Sequence, residues 1–199
     1  MKLGKNTEFE TKYLVAAHQL DEFKEKALAL KPVNFVYTEG PDIYWTKGEL
    51  FFRYRKAAFN IDGDKAWLTM KKKPQGAVNN IKRTETDVRV DKATMSSIEG
   101  MIELLGFKAD FEIYKICHIY YYEDATLVFY GVRNSSGNRR NFLEIEVKES
   151  KVEHLTEEEA FAIIDRYEEL LDMRGVEKEA RISKSLFEMY TNTKRLENG

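Results

Sequence analysis

The chain has very little cysteine and no long apolar run, and each absence excludes a class of protein. Its 199 residues include one cysteine, Cys117, which rules out an internal disulfide and a Cys-rich zinc site. No apolar run approaches the roughly eighteen residues of a membrane span. No apolar stretch follows the first basic residues, as a signal peptide would require. We therefore expect a cytoplasmic protein without membrane contact.

Proline and net charge are scarce as well. With three prolines and no low-complexity stretch, the sequence shows no linker, and we predict a single domain over residues 1–199. The 32 basic residues are balanced by 34 acidic ones, so the basic excess typical of a nucleic-acid-binding protein is missing. What is present is a charged fraction of 33% beside a hydrophobic fraction of 43%, which is enough apolar material for a folded core.

Segments with a period of two dominate the chain and predict strands. They cover residues 7–15, 43–46, 50–59, 65–73, 81–90, 111–122, 126–132 and 141–147. Turn formers such as Asp62-Gly63-Asp64 and Ser135-Ser136-Gly137-Asn138 suit antiparallel hairpins, for which a meander is the simplest topology. Helices are predicted over residues 20–30, 93–105 and 156–173, the last with a capping box at its start. The predicted fold class is α+β.

Charged and apolar side chains alternate along these strands. Glu8, Glu10 and Lys12 share one strand face, because side chains two residues apart point the same way. Like-sign charges also share a face in Arg53 and Arg55, in Lys71 and Lys73, and in Glu144 and Glu146, while Arg83, Glu85, Asp87 and Arg89 form a mixed row. One interpretation is a set of faces exposed to solvent. The like-sign rows favour a barrel whose apolar face lies under helices and whose charges converge inside.

Such an interior has a defined chemistry. Carboxylates without a nearby His or Cys favour hard cations such as Mg²⁺ or Mn²⁺. Confined Lys and Arg favour a polyanion, because Arg can grip phosphate oxygens through two hydrogen bonds. Together they predict metal-assisted binding of a polyphosphate. The sequence has no GxxxxGK loop, so it is not a P-loop protein, and His18, His118 and His154 match no metal-binding spacing.

Short motifs follow one another over residues 7–190. In order they are Glu8-Phe9-Glu10-Thr11-Lys12, Asp42-Ile43-Tyr44-Trp45, Arg53-Tyr54-Arg55, Leu68-Thr69-Met70-Lys71, Arg83-Thr84-Glu85, Leu105-Gly106-Phe107, Lys115, Glu144-Ile145-Glu146 and Lys184-Ser185-Leu186. This order resembles the CYTH domain, also called the triphosphate tunnel metalloenzymes. The resemblance implies an antiparallel eight-stranded β-barrel with a charged tunnel inside and helices packed outside.

The resemblance also implies roles for individual residues. Mg²⁺ or Mn²⁺ would be held by Glu8, Glu10, Glu144 and Glu146, with Glu85 and Lys12 taking part in catalysis. Phosphate contacts would come from Lys12, Arg53, Arg55, Lys71, Lys73, Arg83 and Lys115, and Lys184 would help to close the tunnel mouth. The implied partner is a triphosphate-containing small molecule.

Two positions depart from the family pattern. Members often carry Arg two residues after the lysine that Lys115 matches, where this chain has Cys117. Many carry Asp near the position of Tyr130, which cannot replace a carboxylate on a metal. Three functions therefore stay open: a triphosphatase acting on inorganic, nucleoside or thiamine triphosphate, a class IV type adenylate cyclase, and a polyphosphate-binding protein without turnover. The choice between monomer and homodimer is open too.

Overall fold

The strands and helices of the protein come from a computed structural model that describes residues 7–59, 63–72, 82–90, 95–173, 176, 181–182 and 184–197. In chain order the elements are β1 (Thr7–Val15), α1 (Ala17–Ala29), β2 (Asn34–Lys47), β3 (Leu50–Phe59), β4 (Gly63–Lys72), β5 (Lys82–Val90), α2 (Met95–Leu104), β6 (Lys108–Tyr121), β7 (Ala125–Asn134), β8 (Arg139–Val147), α3 (Glu149–Val152), α4 (Glu157–Leu170) and α5 (Leu186–Glu197). Among these helices, none has the length and apolar character needed to cross a bilayer.

All strands belong to one closed antiparallel barrel in the order β1-β5-β4-β3-β2-β6-β7-β8. Consecutive hairpins run from β2 to β5 and from β6 to β8, β2 pairs with β6, and β1 pairs with both β5 and β8. The prediction of a simple meander is therefore wrong at two connections. Helices α1 and α2 occupy these connections, and strands joined through a helix do not form a tight hairpin. The predicted α+β class with an eight-stranded barrel is confirmed.

Helices α1 and α4 cover the outer face of β1, β7 and β8. The buried side chains between them include Phe9, Phe23, Leu143, Ile145 and Ile164. Of these, Phe9, Leu143 and Ile145 are the strand residues that alternate with charged positions. The apolar strand face therefore points outward, under the helices. Burial of each such side chain stabilises the fold by about 1.5–3 kcal/mol, which fixes the opposite face of the same strands toward the interior.

Helix α4 begins and helix α2 ends at the signals that the sequence predicts. At the start of α4, the Thr156 hydroxyl accepts a hydrogen bond from the Glu159 N–H at 3.3 Å, and the Glu159 carboxylate accepts one from the Thr156 N–H at 2.7 Å. After α2 the chain turns at Gly106, whose φ of 84° is the left-handed conformation that favours glycine. Ile102 of α2 then packs on Trp45 and Tyr54 outside the barrel.

One end of the barrel interior is apolar. Its buried residues include Tyr44, Phe111 and Phe142, and the first turn of α5 adds Leu186 and Phe187. The Phe187 ring stacks on Phe51 with centroids 4.4 Å apart, and Tyr44 stacks on Phe111 at the same spacing of 4.4 Å. Helix α5, which the sequence did not predict, therefore covers this end of the barrel, and the charged side chains lie in the rest of the interior.

Candidate active site in the barrel interior

The barrel interior holds a cavity of about 560 Å³, within the usual size of ligand pockets, and Tyr44, Phe51 and Phe187 of the apolar end line part of it. Its charged lining residues are Glu10, Lys12, Arg53, Arg55, Asp87, Lys115, Glu144, Glu146 and Lys148. Seven of the residues expected to form the site are in this group, and Glu10, Lys12 and Lys115 are buried. The alternative of charged faces exposed to solvent is wrong for these positions.

The remaining expected site residues do not line the cavity or cannot be placed. Lys184 is exposed and is not part of the lining. Lys73 lies outside the described residues. Four others, Glu8, Lys71, Arg83 and Glu85, have their backbone in β1, β4 and β5, and their side chains lie outside the described part of the structure. The roles expected for all of them stay predictions.

Strand register decides which charges meet. Across β1 and β8, Lys12 is paired with Glu144 and Glu10 with Glu146. Directly opposed residues on one face have their Cβ atoms about 4.5–5.5 Å apart, so their side chains interact. The Lys12 Nζ atom lies 2.9 Å from Glu144 Oε1 and 3.6 Å from Glu10 Oε1. A lysine thus lies between two carboxylates on the cavity wall.

Tyr130 organises the same wall from β7. Its hydroxyl donates a hydrogen bond to Glu144 Oε1 at 2.7 Å, the oxygen that also contacts Lys12. Burial by itself would raise the pKa of Glu144. Lys12, Lys115 and this hydrogen bond lower the pKa by more than burial raises it, so it lies well below its usual value and the group is ionised. The sequence suggested that Tyr130 marks a lost carboxylate. In the structure it holds an existing one.

Lys115 lies on the other side of Tyr130. Its Nζ atom is 3.9 Å from the centre of the Tyr130 ring, a cation–π contact. Burial lowers the pKa of Lys115, with a further lowering from Arg55. Within the described residues its ammonium makes no ion pair with a carboxylate. A buried ammonium that rests on a ring and, in the described part of the chain, contacts no carboxylate suits an anion entering the cavity.

Arg53 is held by a row of register-paired residues across β3, β4 and β5. Arg53 is opposite Thr69, and Thr69 is opposite Asp87. The Arg53 Nη2 atom donates to the Thr69 hydroxyl at 3.0 Å, and that hydroxyl donates to Asp87. The sequence placed Thr69 and Asp87 in motifs and charged rows but assigned them no role.

Arg55 makes a contact of two hydrogen bonds with Asp42. Its Nε and Nη2 atoms donate to the two carboxylate oxygens of Asp42, both at 2.7 Å. Burial by itself would raise the pKa of Asp42. Arg55 and Arg53 lower it by more than burial raises it, so the pKa lies below the usual value. The sequence placed Asp42 within a motif and assigned its carboxylate no role.

Cys117 also lines the cavity, at the position where the family pattern has arginine. It is buried, and burial raises the pKa of its thiol. A thiol that stays protonated is a poor nucleophile. Cys117 is therefore best described as a small buried residue of the wall.

The carboxylates fit a hard divalent cation. Glu10 and Glu146 line the cavity at register-paired positions, where like charges are unfavourable unless a cation lies between them. Across the described ranges, no three acidic, His or Cys side chains come together in a group that could hold a metal ion by itself. Mg²⁺ characteristically takes one or two carboxylates and completes its shell with water and substrate phosphates. An open pair of this kind suits a metal that binds together with a phosphate ligand.

The fold matches solved structures over most of the chain. The PH1819 protein of Pyrococcus horikoshii OT3 gives a TM-score of 0.68 at 23% identity, over 94% of this chain and 99% of that chain. A candidate adenylate cyclase from Bacillus halodurans gives 0.59 at 13% identity, over 94% and 99%. The candidate adenylyl cyclase HpAC1 from Hippeastrum, whose structure reveals a dominant triphosphatase activity, gives 0.62 at 12% identity, over 94% and 95%.

These matches establish a shared fold, the one that the resemblance to the CYTH domain implies. No protein-family model matches the chain, and no curated protein matches its sequence.

Proposed function

We propose that the protein is a divalent-metal-dependent phosphohydrolase that cleaves a triphosphate-containing small molecule in the barrel cavity. The observation that carries the proposal is the sorting of charge within one cavity. Glu10 and Glu146 are opposed on one wall, and Lys115, Arg53 and Arg55 line the same space. Carboxylates for a metal beside cations for phosphate are the parts that phosphoryl transfer requires.

In the proposed reaction the protein acts by positioning and by electrostatic stabilisation. Lys115, Arg53 and Arg55 bind phosphoryl oxygens and stabilise the charge that moves to the leaving group. Lys12 holds the carboxylates of Glu10 and Glu144 in place. A bound Mg²⁺ or Mn²⁺, held by Glu10 and Glu146, supplies charge neutralisation on the phosphoryl oxygens. Hydrolysis is favoured over cyclisation because HpAC1, which shares the fold, has a dominant triphosphatase activity.

The test is to incubate the protein with inorganic triphosphate, ATP or thiamine triphosphate and either metal, and to resolve the products. We expect orthophosphate from at least one substrate, and no turnover when the metal is chelated. Cyclic AMP with pyrophosphate would identify a cyclase instead. Tight binding without product in both metals would identify a binding protein and overturn the proposal.

Substitution of the opposed carboxylates tests the metal assignment. We expect Glu10→Gln and Glu146→Gln each to lower turnover by roughly 100-fold or more, because either change removes a charged ligand. They should also weaken Mn²⁺ binding, measured by electron paramagnetic resonance. Glu112→Gln is the control, since Glu112 is exposed on β6 and does not line the cavity. Normal activity in both cavity variants would show that other residues hold the metal.

A further inference from the structure

Asp42 is buried inside the protein but does not line the cavity. Its side chain is fully buried, and it is not among the residues that line the cavity, whereas its partner Arg55 is. The two are directly opposed across β2 and β3, which brings the carboxylate to the guanidinium. A ligand in the cavity therefore meets Arg55 and not Asp42.

A carboxylate at this position lowers the affinity of the cavity for polyanions. Asp42 places a negative charge beside three cations of the cavity, and its field reaches Arg55, Arg53 and Lys115. Coulomb repulsion between this carboxylate and a bound phosphate opposes binding. A neutral acceptor would avoid the repulsion, so the carboxylate needs another reason to be there.

The contact with Arg55 supplies that reason. An arginine side chain carries about 2 kcal/mol of rotamer entropy, and a fork of two charge-assisted hydrogen bonds fixes both its position and its plane. The pair with Asp42 uses Nε and Nη2, so the Nη1 group is not part of it. Arg53, by comparison, donates from Nη2 to the neutral hydroxyl of Thr69 at 3.0 Å.

We infer that Asp42 is a positioning residue, which orients the Arg55 guanidinium for catalysis at the expense of affinity for the phosphate ligand. The inference rests on the proposed function, because it assigns Arg55 to the phosphoryl group during reaction. A merely structural Asp42 would differ in a measurable way: its loss would weaken binding and turnover together.

The experiment compares Asp42→Asn with the wild-type protein, using inorganic triphosphate and Mg²⁺ for kcat and KM. The binding of inorganic triphosphate without metal is measured by calorimetry. We expect kcat to fall by roughly 10- to 100-fold, since small misplacements of a catalytic group have effects of that size. We expect binding to tighten by roughly 3- to 10-fold, because a repelling charge is removed. Weaker binding together with lower kcat would overturn the inference.

Further variants test whether Asp42 acts through Arg55. In an Arg55→Met background, Asp42→Asn should change kcat by less than about 3-fold, because the group that it positions is gone. Arg55→Lys keeps the charge and loses the fork, so it should lower kcat while binding stays near the wild-type value. A wild-type kcat in Arg55→Lys would overturn the inference even if Asp42→Asn did not fold. Asp21→Asn, on the exposed surface of α1, is the control and should match the wild type.

A spectroscopic readout separates this inference from the proposed function. The arginine Nε–H signals in a ¹H–¹⁵N spectrum should include a sharp, slowly exchanging Arg55 signal, assigned by its loss in Arg55→Lys. Asp42→Asn should broaden or abolish it. If the wild-type protein hydrolyses no triphosphate but keeps this signal, the proposed function fails and the positioning of Arg55 stands. If the signal is absent from the wild-type protein, the inference fails whatever the activity.

Discussion

At the scale of single residues, a tyrosine at a position where a carboxylate was expected holds two charged groups of the cavity. The Tyr130 hydroxyl donates to Glu144, and its ring carries the Lys115 ammonium. Removing the hydroxyl leaves a partly buried, ionised carboxylate with one donor fewer, whereas removing the ring also takes away support for the ammonium. The two contacts can therefore be separated by substitution.

Tyr130→Phe should lower the free energy of unfolding by about 1.5–3 kcal/mol, the usual contribution of a hydrogen bond to a charged group. Urea unfolding at neutral pH measures the loss. Tyr37→Phe is the control, because Tyr37 also donates to a glutamate, Glu39, at 2.6 Å but is only partly buried. We expect the control to lose less than about 1 kcal/mol. Equal losses in the two variants would contradict a special role for the buried contact.

The pH dependence of stability follows from Asp42. Its pKa in the folded protein lies below the ordinary value of 3.8, so folding favours the ionised form. The stability that Asp42 contributes is complete above pH 3.8 and is lost as the pH falls through the lower folded-state pKa. Thermal unfolding should show Asp42→Asn less stable than wild type at neutral pH, with a difference that shrinks below pH 3.8. A difference independent of pH would contradict this.

At the scale of elements, α5 packs on the apolar end of the barrel through buried aromatic side chains, among them Phe187. Phe187 is buried and lies against Phe51 and Tyr44. Phe187→Ala should lower the free energy of unfolding by about 3–5 kcal/mol, as buried Phe→Ala changes do. Leu170→Ala, at a position that is 47% exposed on α4, should lower it by less than about 0.5 kcal/mol in the same urea titration. If Phe187→Ala lost as little unfolding free energy as Leu170→Ala, α5 would not belong to the core.

The sequence predicts elements better than it predicts contacts. Alternation is a local property, so β1 and β3 were predicted with the bounds that the structure shows, and the outward apolar and inward charged faces followed. Helix α5 was missed because its apolar residues cluster in one turn, and its support comes from Phe51, far away in the chain. The register between strands is non-local as well.

Register is also the reason why part of the site was missed. The alternation of side chains along each strand places Asp42, Thr69 and Arg55 on inward faces. Which of them meet depends on how β2, β3 and β4 are aligned. The same limit applies to Tyr130, whose hydroxyl reaches Glu144 from the neighbouring strand. Charged residues were found because their type carries a signal, whereas their supporting partners were not.

At the scale of the whole molecule, the cavity gathers charges from most of the strands, so a bound polyanion should stabilise the entire barrel. Inorganic triphosphate at about 100 times its Kd adds roughly 2.7 kcal/mol to the free energy of unfolding. For a domain of this size, that corresponds to a rise in Tm of roughly 5–10 °C. Scanning calorimetry with and without the ligand measures it. Orthophosphate at the same concentration is the control, and an equal rise would show that the cavity does not recognise a chain of phosphates.

The closure of the barrel by β1 has a consequence for how the protein is made. Glu10 meets Glu146 only when the first strand pairs with the last, so the opposed carboxylates come from opposite ends of the barrel sequence. Contacts of such long sequence separation form late and slow folding. A chain still leaving the ribosome therefore lacks the opposed carboxylates of the proposed metal site, which come together only after β8 has been synthesised.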